Sequence, residues 1–160
     1  MKSAYPTMLV AVSGSAQSLN AAKFGIALAR MHRSRILAAY VVETDLLKEL
    51  VLSRILVEEE SADYRRSLEE NGRRYLAYVA DLGKKKGITV ETIMRSGSVS
   101  TQIVETAEEN GAGLILIGAY ESQSTLRDII GRQHREILRN AKCSVLVVRE
   151  PRIEEIYRGS

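Results

Sequence analysis

Four aliphatic residues in a row, Leu114-Ile115-Leu116-Ile117, closed by Gly118, constrain this chain more than any other feature. A run without polar alternation has no face to give to water, so it reads as a strand buried on both sides by covering helices. Met8 to Val12 and Ile36 to Val42 have the same character, and Val145 to Val148 repeats it near the end. Ile88 to Met94 instead alternates apolar and polar residues, which places that strand half exposed at a sheet edge. The segments between these runs carry helical spacing. Apolar residues from Ala21 to Met31 wrap more than one face, and Val99, Ile103, Val104 and Ala107 form a stripe that stops at Asn110-Gly111.

Five strands alternating with helices predict one α/β domain. The expected fold is an open, parallel, five-stranded, doubly wound sheet in the order 3-2-1-4-5, flavodoxin-like in topology, with helices on both faces. The domain is expected over residues 1–150, with 151–160 as a charged tail after Pro151. The first strand ends in Ser13-Gly14-Ser15-Ala16-Gln17-Ser18, a turn whose hydroxyls can cap the next helix. Leu46 to Val57 predicts an apolar helix, and a second helical pattern through Leu68, Gly72, Leu76, Val79 and Leu82 follows the acidic Glu58-Glu59-Glu60. A glycine, Gly131, stands just before the spacing of Ile137, Leu138 and Ala141. The last helix is therefore expected to begin there, with its N-terminus toward the loop and His134 in its first turn.

Several functions are excluded by what the chain lacks. At 160 residues with net charge +3, it has no Lys/Arg cluster interleaved with stacking aromatics, so no nucleic acid is expected as a partner. Nothing approaches the roughly 20 apolar residues of a membrane span, and cytoplasm is the expected location. The single Cys143 forms no intrachain disulfide and reads as a small buried hydrophobe. His32 and His134 have no evident nucleophile and orienting acid beside them, and no paired carboxylates or metal-spaced cluster occur. No catalytic residue and no metal are expected. A phosphoacceptor site would need acids at the strand ends, where this chain has Ser13 and Ser96, and a flavin would need aromatic walls, for which only Tyr120 is placed.

The stretch from Leu114 to His134 resembles the C-terminal part of the universal stress protein family. Nucleotide-binding members carry a glycine, two residues, a second glycine, nine residues, then glycine and serine or threonine. Gly118 and Gly131 match the first and third glycines, Glu121 stands at the second, and Arg132 stands at the hydroxyl position. Ile137 to Val148 is similar to the family's last helix and strand. The resemblance implies an adenine nucleotide alpha hydrolase-like fold and a candidate nucleotide site built from Val12, Ser13, Val41, Val42, Ile117, Gly118, Glu121, Gly131, Arg132 and Gln133. Members that hold ATP place an aspartate after the first strand, where this chain has Ser13. They contact adenine from the end of the second strand, where it has Val41 and Val42; read from the residues alone, those valines finish a buried strand.

A carboxylate about 4 Å from a phosphate oxygen repels it by roughly 1 kcal/mol in water and roughly 4 kcal/mol at an effective dielectric of 20. Glu121 therefore opposes ATP, and an ion pair with Arg132 is expected to close the loop. The resulting expectation is a homodimeric, non-enzymatic stress-response protein without a cofactor, acting through an unidentified protein partner. Its alternative is ATP or AMP binding through a variant phosphate loop. The family's last strand often pairs between subunits, and an apolar edge needs covering, so the dimer is expected through Val145 to Val148.

Overall fold

The computed structural model describes residues 3–119 and 127–160, with the side chains of 3–119 and 132–160. The elements in chain order are β1 (Thr7–Val12), α1 (Ala16–His32), β2 (Arg35–Val42), α2 (Thr44–Leu52), α3 (Glu58–Lys84), β3 (Val90–Ser96), α4 (Val99–Glu109), β4 (Leu114–Gly118), α5 (Arg127–Asn140), β5 (Ser144–Val148) and α6 (Ile153–Gly159). The strands form one sheet in the order β3-β2-β1-β4-β5, and every pairing is parallel. This is the expected doubly wound topology.

Side chains alternate across a strand, so each buried run feeds two cores. Met8, Val10, Ile36, Ala38, Leu114 and Leu116 face α1 and α3, meeting Ala22, Ile26, Leu76 and Val79. Leu9, Leu37, Ala39, Ile115 and Ile117 face α4 and α5, meeting Ile103, Ala107 and Ile137. Val41 and Val42 consequently lie on opposite faces of β2. At the edge, β3 is half exposed as expected, with Glu91 and Thr92 in water on opposite faces, but it starts two residues later than expected. The Ile88 N–H still reaches back 2.9 Å to the Gly83 carbonyl, closing α3 before the strand begins.

Three other segments differ from expectation. The apolar helix expected to run to Val57 ends at Leu52, because Arg54 takes a left-handed conformation (φ 60°) and the Ile55 and Leu56 N–H groups both return to the Leu50 carbonyl. Leu52, Ile55 and Val57 are left exposed, and α3 starts directly on Glu58-Glu59-Glu60, where carboxylates complement the helix dipole. The last five-strand helix, α5, starts at Arg127, so Gly131 is its fifth residue and His134 its eighth. In the sequence Ile130 precedes Ile137 by seven, so the helical repeat runs through Gly131, and one interior glycine costs only about 1 kcal/mol. The charged stretch after Pro151 is the helix α6. Ile153 is buried, Tyr157 donates from its hydroxyl to the Leu82 carbonyl at 2.7 Å, and Glu154 pairs with Lys23 of α1. Among the described residues no helix is long and apolar enough to cross a membrane.

Candidate functional site

The chain leaves β1 and β4 toward opposite faces of the sheet, into α1 on one side and α5 on the other. Where the two part, the C-terminal ends of β1, β2 and β4 enclose a cleft of about 460 Å³. Its position is the one at which open α/β sheets bind ligands, and its volume is that of a small-molecule site. The floor is mainly aliphatic, from Ala11, Val12, Val41, Ile117, Gly118 and Ala119. Val99, Ile103, Gln133, His134 and Ile137 form one wall, and Tyr40, Glu43, Leu46 and Leu68 the other.

A loop of serines borders the floor, and its hydroxyls bond one another and the loop's own backbone. The Ser18 hydroxyl is buried, accepts the Ser13 N–H at 2.9 Å and donates to the Ser13 carbonyl at 2.7 Å. Ser15 caps α1 by accepting the Ser18 N–H at 3.1 Å, and its own hydroxyl lies 3.0 Å from that of Ser13. The Ser15 N–H goes to the Ser13 hydroxyl at 3.3 Å. Gly118 closes this corner. A Cβ there would stand 2.4 Å from the Gln17 carbonyl carbon and oxygen and 2.7 Å from the Ser18 nitrogen. The glycine lets the end of β4 rest against the backbone of α1's first turn.

Among the described residues, three titratable groups with shifted pKa values line the cleft. Burial pushes the Glu43 carboxyl above the ordinary carboxylate range, and Arg132 partly offsets this through space. Burial also raises the Tyr40 phenol, with Tyr75 and Glu43 adding to it; the Tyr40 and Tyr75 rings lie 6.4 Å apart. Burial holds the His134 imidazole below its usual value, so the ring is neutral at pH 7.

Of the ten candidate residues, Val12, Ser13, Val41, Ile117, Gly118 and Gln133 come together around the cleft. Val42 turns away into the opposite core. Gly131 lies inside α5, Arg132 is exposed on that helix, and Glu121 with its expected ion pair lies outside the described residues. Gln133 also has a second duty: its carbonyl oxygen accepts the Ser100 N–H at 2.8 Å, while Glu136 accepts the Ser100 hydroxyl at 2.8 Å. Gln133 of α5 thus caps the start of α4, and Glu136 ties the same residue by its side chain. Sequence reading missed Tyr40, Glu43, Leu46, Ser18 and His134. The signal for Glu43 was its place as the first charged residue after a buried strand, and for Ser18 a hydroxyl one turn into the first helix. Among the described residues no three of His, Cys, Asp or Glu stand together to hold a metal. Cys143 is away from the cleft, and burial raises its thiol.

Residues 4–149 match the sequence model described as the universal stress protein family. The chain is 31% identical over 152 residues to universal stress protein MJ0531 of Methanocaldococcus jannaschii, covering 94% of this chain and 85% of that one. A solved universal stress protein family member from Burkholderia pseudomallei superposes with a TM-score of 0.69 at 24% identity, over 90% of this chain and 96% of that one. A family protein from Arabidopsis thaliana, solved with AMP bound, gives a TM-score of 0.64 at 16% identity, over 91% and 92%.

Proposed function

Because the chain belongs to the universal stress protein family, we propose that it is a non-enzymatic regulatory protein whose cleft takes an adenine nucleoside or its monophosphate. The ligand is held by its base more than by its phosphates. The observation that carries this reading is the open cleft at the ends of β1, β2 and β4, with an aliphatic floor beside a serine loop already satisfied within itself. A flat heteroaromatic ring gains from burial against Val12, Val41 and Ile117, whereas a chain of phosphates needs donors and positive charge. The AMP held by the Arabidopsis relative supports adenine as the base.

The polar inventory supports a weak hold on polyphosphate. The N–H groups of Ser13, Ser15 and Ser18 are bonded to neighbouring hydroxyls. Gly131 is inside α5, so no helix begins at that glycine to offer its free N–H groups. Glu43 brings no positive charge to the wall, and His134 is neutral. The hydroxyls of Ser13 and Ser15 bond each other, which supports binding over turnover. Regulation through protein contacts is supported by the exposed Leu52, Ile55 and Val57, and a homodimer by the edge position of β5 with Val147 exposed. Titration calorimetry of adenosine, AMP and ATP-Mg²⁺ into the purified protein tests the reading. Adenosine and AMP are expected to bind with Kd of about micromolar order and ATP at least about tenfold more weakly. ATP binding tighter than AMP refutes the base-held mode, and no binding of any of the three refutes the nucleoside site.

A further inference from the structure

Glu43 has no structural employment. It occupies the N-cap position of α2, yet its side chain makes no capping bond. Among the described residues its carboxyl group makes no hydrogen bond, and Arg132 acts on it only through space, without an ion pair inside 4 Å. It is half-buried in a wall made otherwise of Tyr40, Leu46 and Leu68, and it lines the cleft. A carboxyl group so placed is costly unless a partner arrives.

We propose that Glu43 reads the hydrogen-bonding edge of an aminopurine as a neutral carboxylic acid. One oxygen accepts the exocyclic N–H, and the other donates its proton to the adjacent ring nitrogen. This rests on the nucleoside reading of the cleft and names the residue that would select the base. An ionised carboxylate matches that edge poorly, because the ring nitrogen is itself an acceptor and the two lone pairs repel. Protonation turns the same group into a donor–acceptor pair complementary to adenine. Burial already favours the neutral form, and burial under a bound base increases that preference. The proton comes from solvent, so binding above the free group's pKa takes up one proton per site. The other groups bearing on Glu43 are Tyr40 on β2, Arg132 on α5 and, beyond Tyr40, Tyr75 on α3; His134 lies in the facing wall and Asp45 on the same helix. Arg132 opposes the protonation, and Tyr40, its phenol raised by burial, stays neutral across the working range.

Calorimetric titration of adenosine, which carries no phosphate to titrate, decides the matter. It is run between pH 5.5 and 8 in buffers of different ionisation enthalpy, on the full chain and on Glu43→Gln. Wild type should take up close to one proton at pH 7.5, and its affinity should fall about tenfold per pH unit above the Glu43 pKa. Gln offers the same donor and acceptor without a proton to gain. The variant should therefore bind adenosine with no uptake, and at pH 8 about tenfold or more tightly than wild type. Adenosine binding by wild type without proton uptake, or a pH profile shared by the two proteins, overturns the role of Glu43 and leaves the nucleoside site standing. Absence of adenosine binding by either protein at every pH overturns the nucleoside site and this inference with it.

Discussion

Gly118 separates two explanations of the glycine-bearing loop, and Gly118→Ala is the perturbation that tests them. The family resemblance assigns such a glycine to close approach of a phosphate, whereas the structure presses it against α1. A Cβ would sit 2.4 Å from the Gln17 carbonyl, about 1 Å inside the 3.4 Å at which ordinary contact begins. Both atoms are backbone, fixed by the Ser15 cap and by the pairing of β4 with β1 and β5, so neither can swing aside. Overpacking of this kind costs about 1–3 kcal/mol, and clash with backbone puts it near the top of that range. For a domain of this length each kcal/mol lowers Tm by about 2–4 °C, giving an expected loss of about 6–12 °C. Two other glycines calibrate the scale. Gly72→Ala puts a Cβ 2.5 Å from the Tyr40 ring, a side chain that can yield, and the new residue gains helix propensity, so its loss should be smaller. Gly159→Ala meets nothing within 4 Å and should lie within about 0.5 kcal/mol of the parent. Differential scanning calorimetry without ligand ranks the three. If Gly118→Ala melts within 2 °C of the parent, the packing account is wrong and the glycine is kept for what enters the cleft.

Ser18→Ala should cost about 1 kcal/mol in urea unfolding, because it strands the Ser13 N–H and carbonyl at the cleft floor, where solvent can partly replace the lost partner. Glu43→Gln should stabilise the ligand-free protein at neutral pH. The raised Glu43 pKa means the folded state holds that proton more tightly, so the wild-type deficit is absent below about pH 4, grows as pH rises through the elevated value, and then levels off. Denaturation curves at pH 4 and pH 8 check the sign; an equal difference at both would contradict it. Val147→Lys should shift sedimentation from dimer to monomer, since it places a charge on the exposed face of edge strand β5. A wild-type protein that sediments as a monomer at micromolar concentration removes that assembly.

The sheet was legible because buried parallel strands leave short aliphatic runs bounded by turn residues, and β3 could be sent to an edge because polar residues interrupt its apolar ones, leaving Glu91 and Thr92 in water. Helix ends were less legible where the stop signal was unusual. Arg54, not a glycine or asparagine, adopts the left-handed turn that ends the α2 region, so nothing in the apolar run from Leu46 to Val57 marks the break. In the last ten residues the charges conceal a helical repeat: Ile153, Ile156 and Tyr157 stand at spacings of three and four, and Ile153 and Tyr157 anchor α6 against the domain. Composition suggested a tail where periodicity specified a helix.

At the cleft, strand ends were predictable and helix faces were not, for a geometric reason. Topology alone carries Val12, Val41 and Ile117 to the same rim, whatever the loops do, because parallel strands in register end together. A helical residue reaches the cleft only if the helix starts at the right place, since each residue turns it by about 100°. Taking Gly131 as the start of α5 put Arg132 at the helix start, where it was expected to pair with Glu121, and left His134 in a first turn. With the start at Arg127, Gln133, His134 and Ile137 face the cleft, while Arg132 sits outside. That shift changes the chemistry assigned to the wall: the cation expected to pair with Glu121 and close the loop acts on Glu43 through space, and the surface that α5 gives the cleft is neutral imidazole, amide and aliphatic. A wall of that kind discriminates through the shape and donor pattern of a base and gives a polyphosphate little to hold, so selectivity in this cleft should follow changes at Glu43 more closely than changes at Arg132.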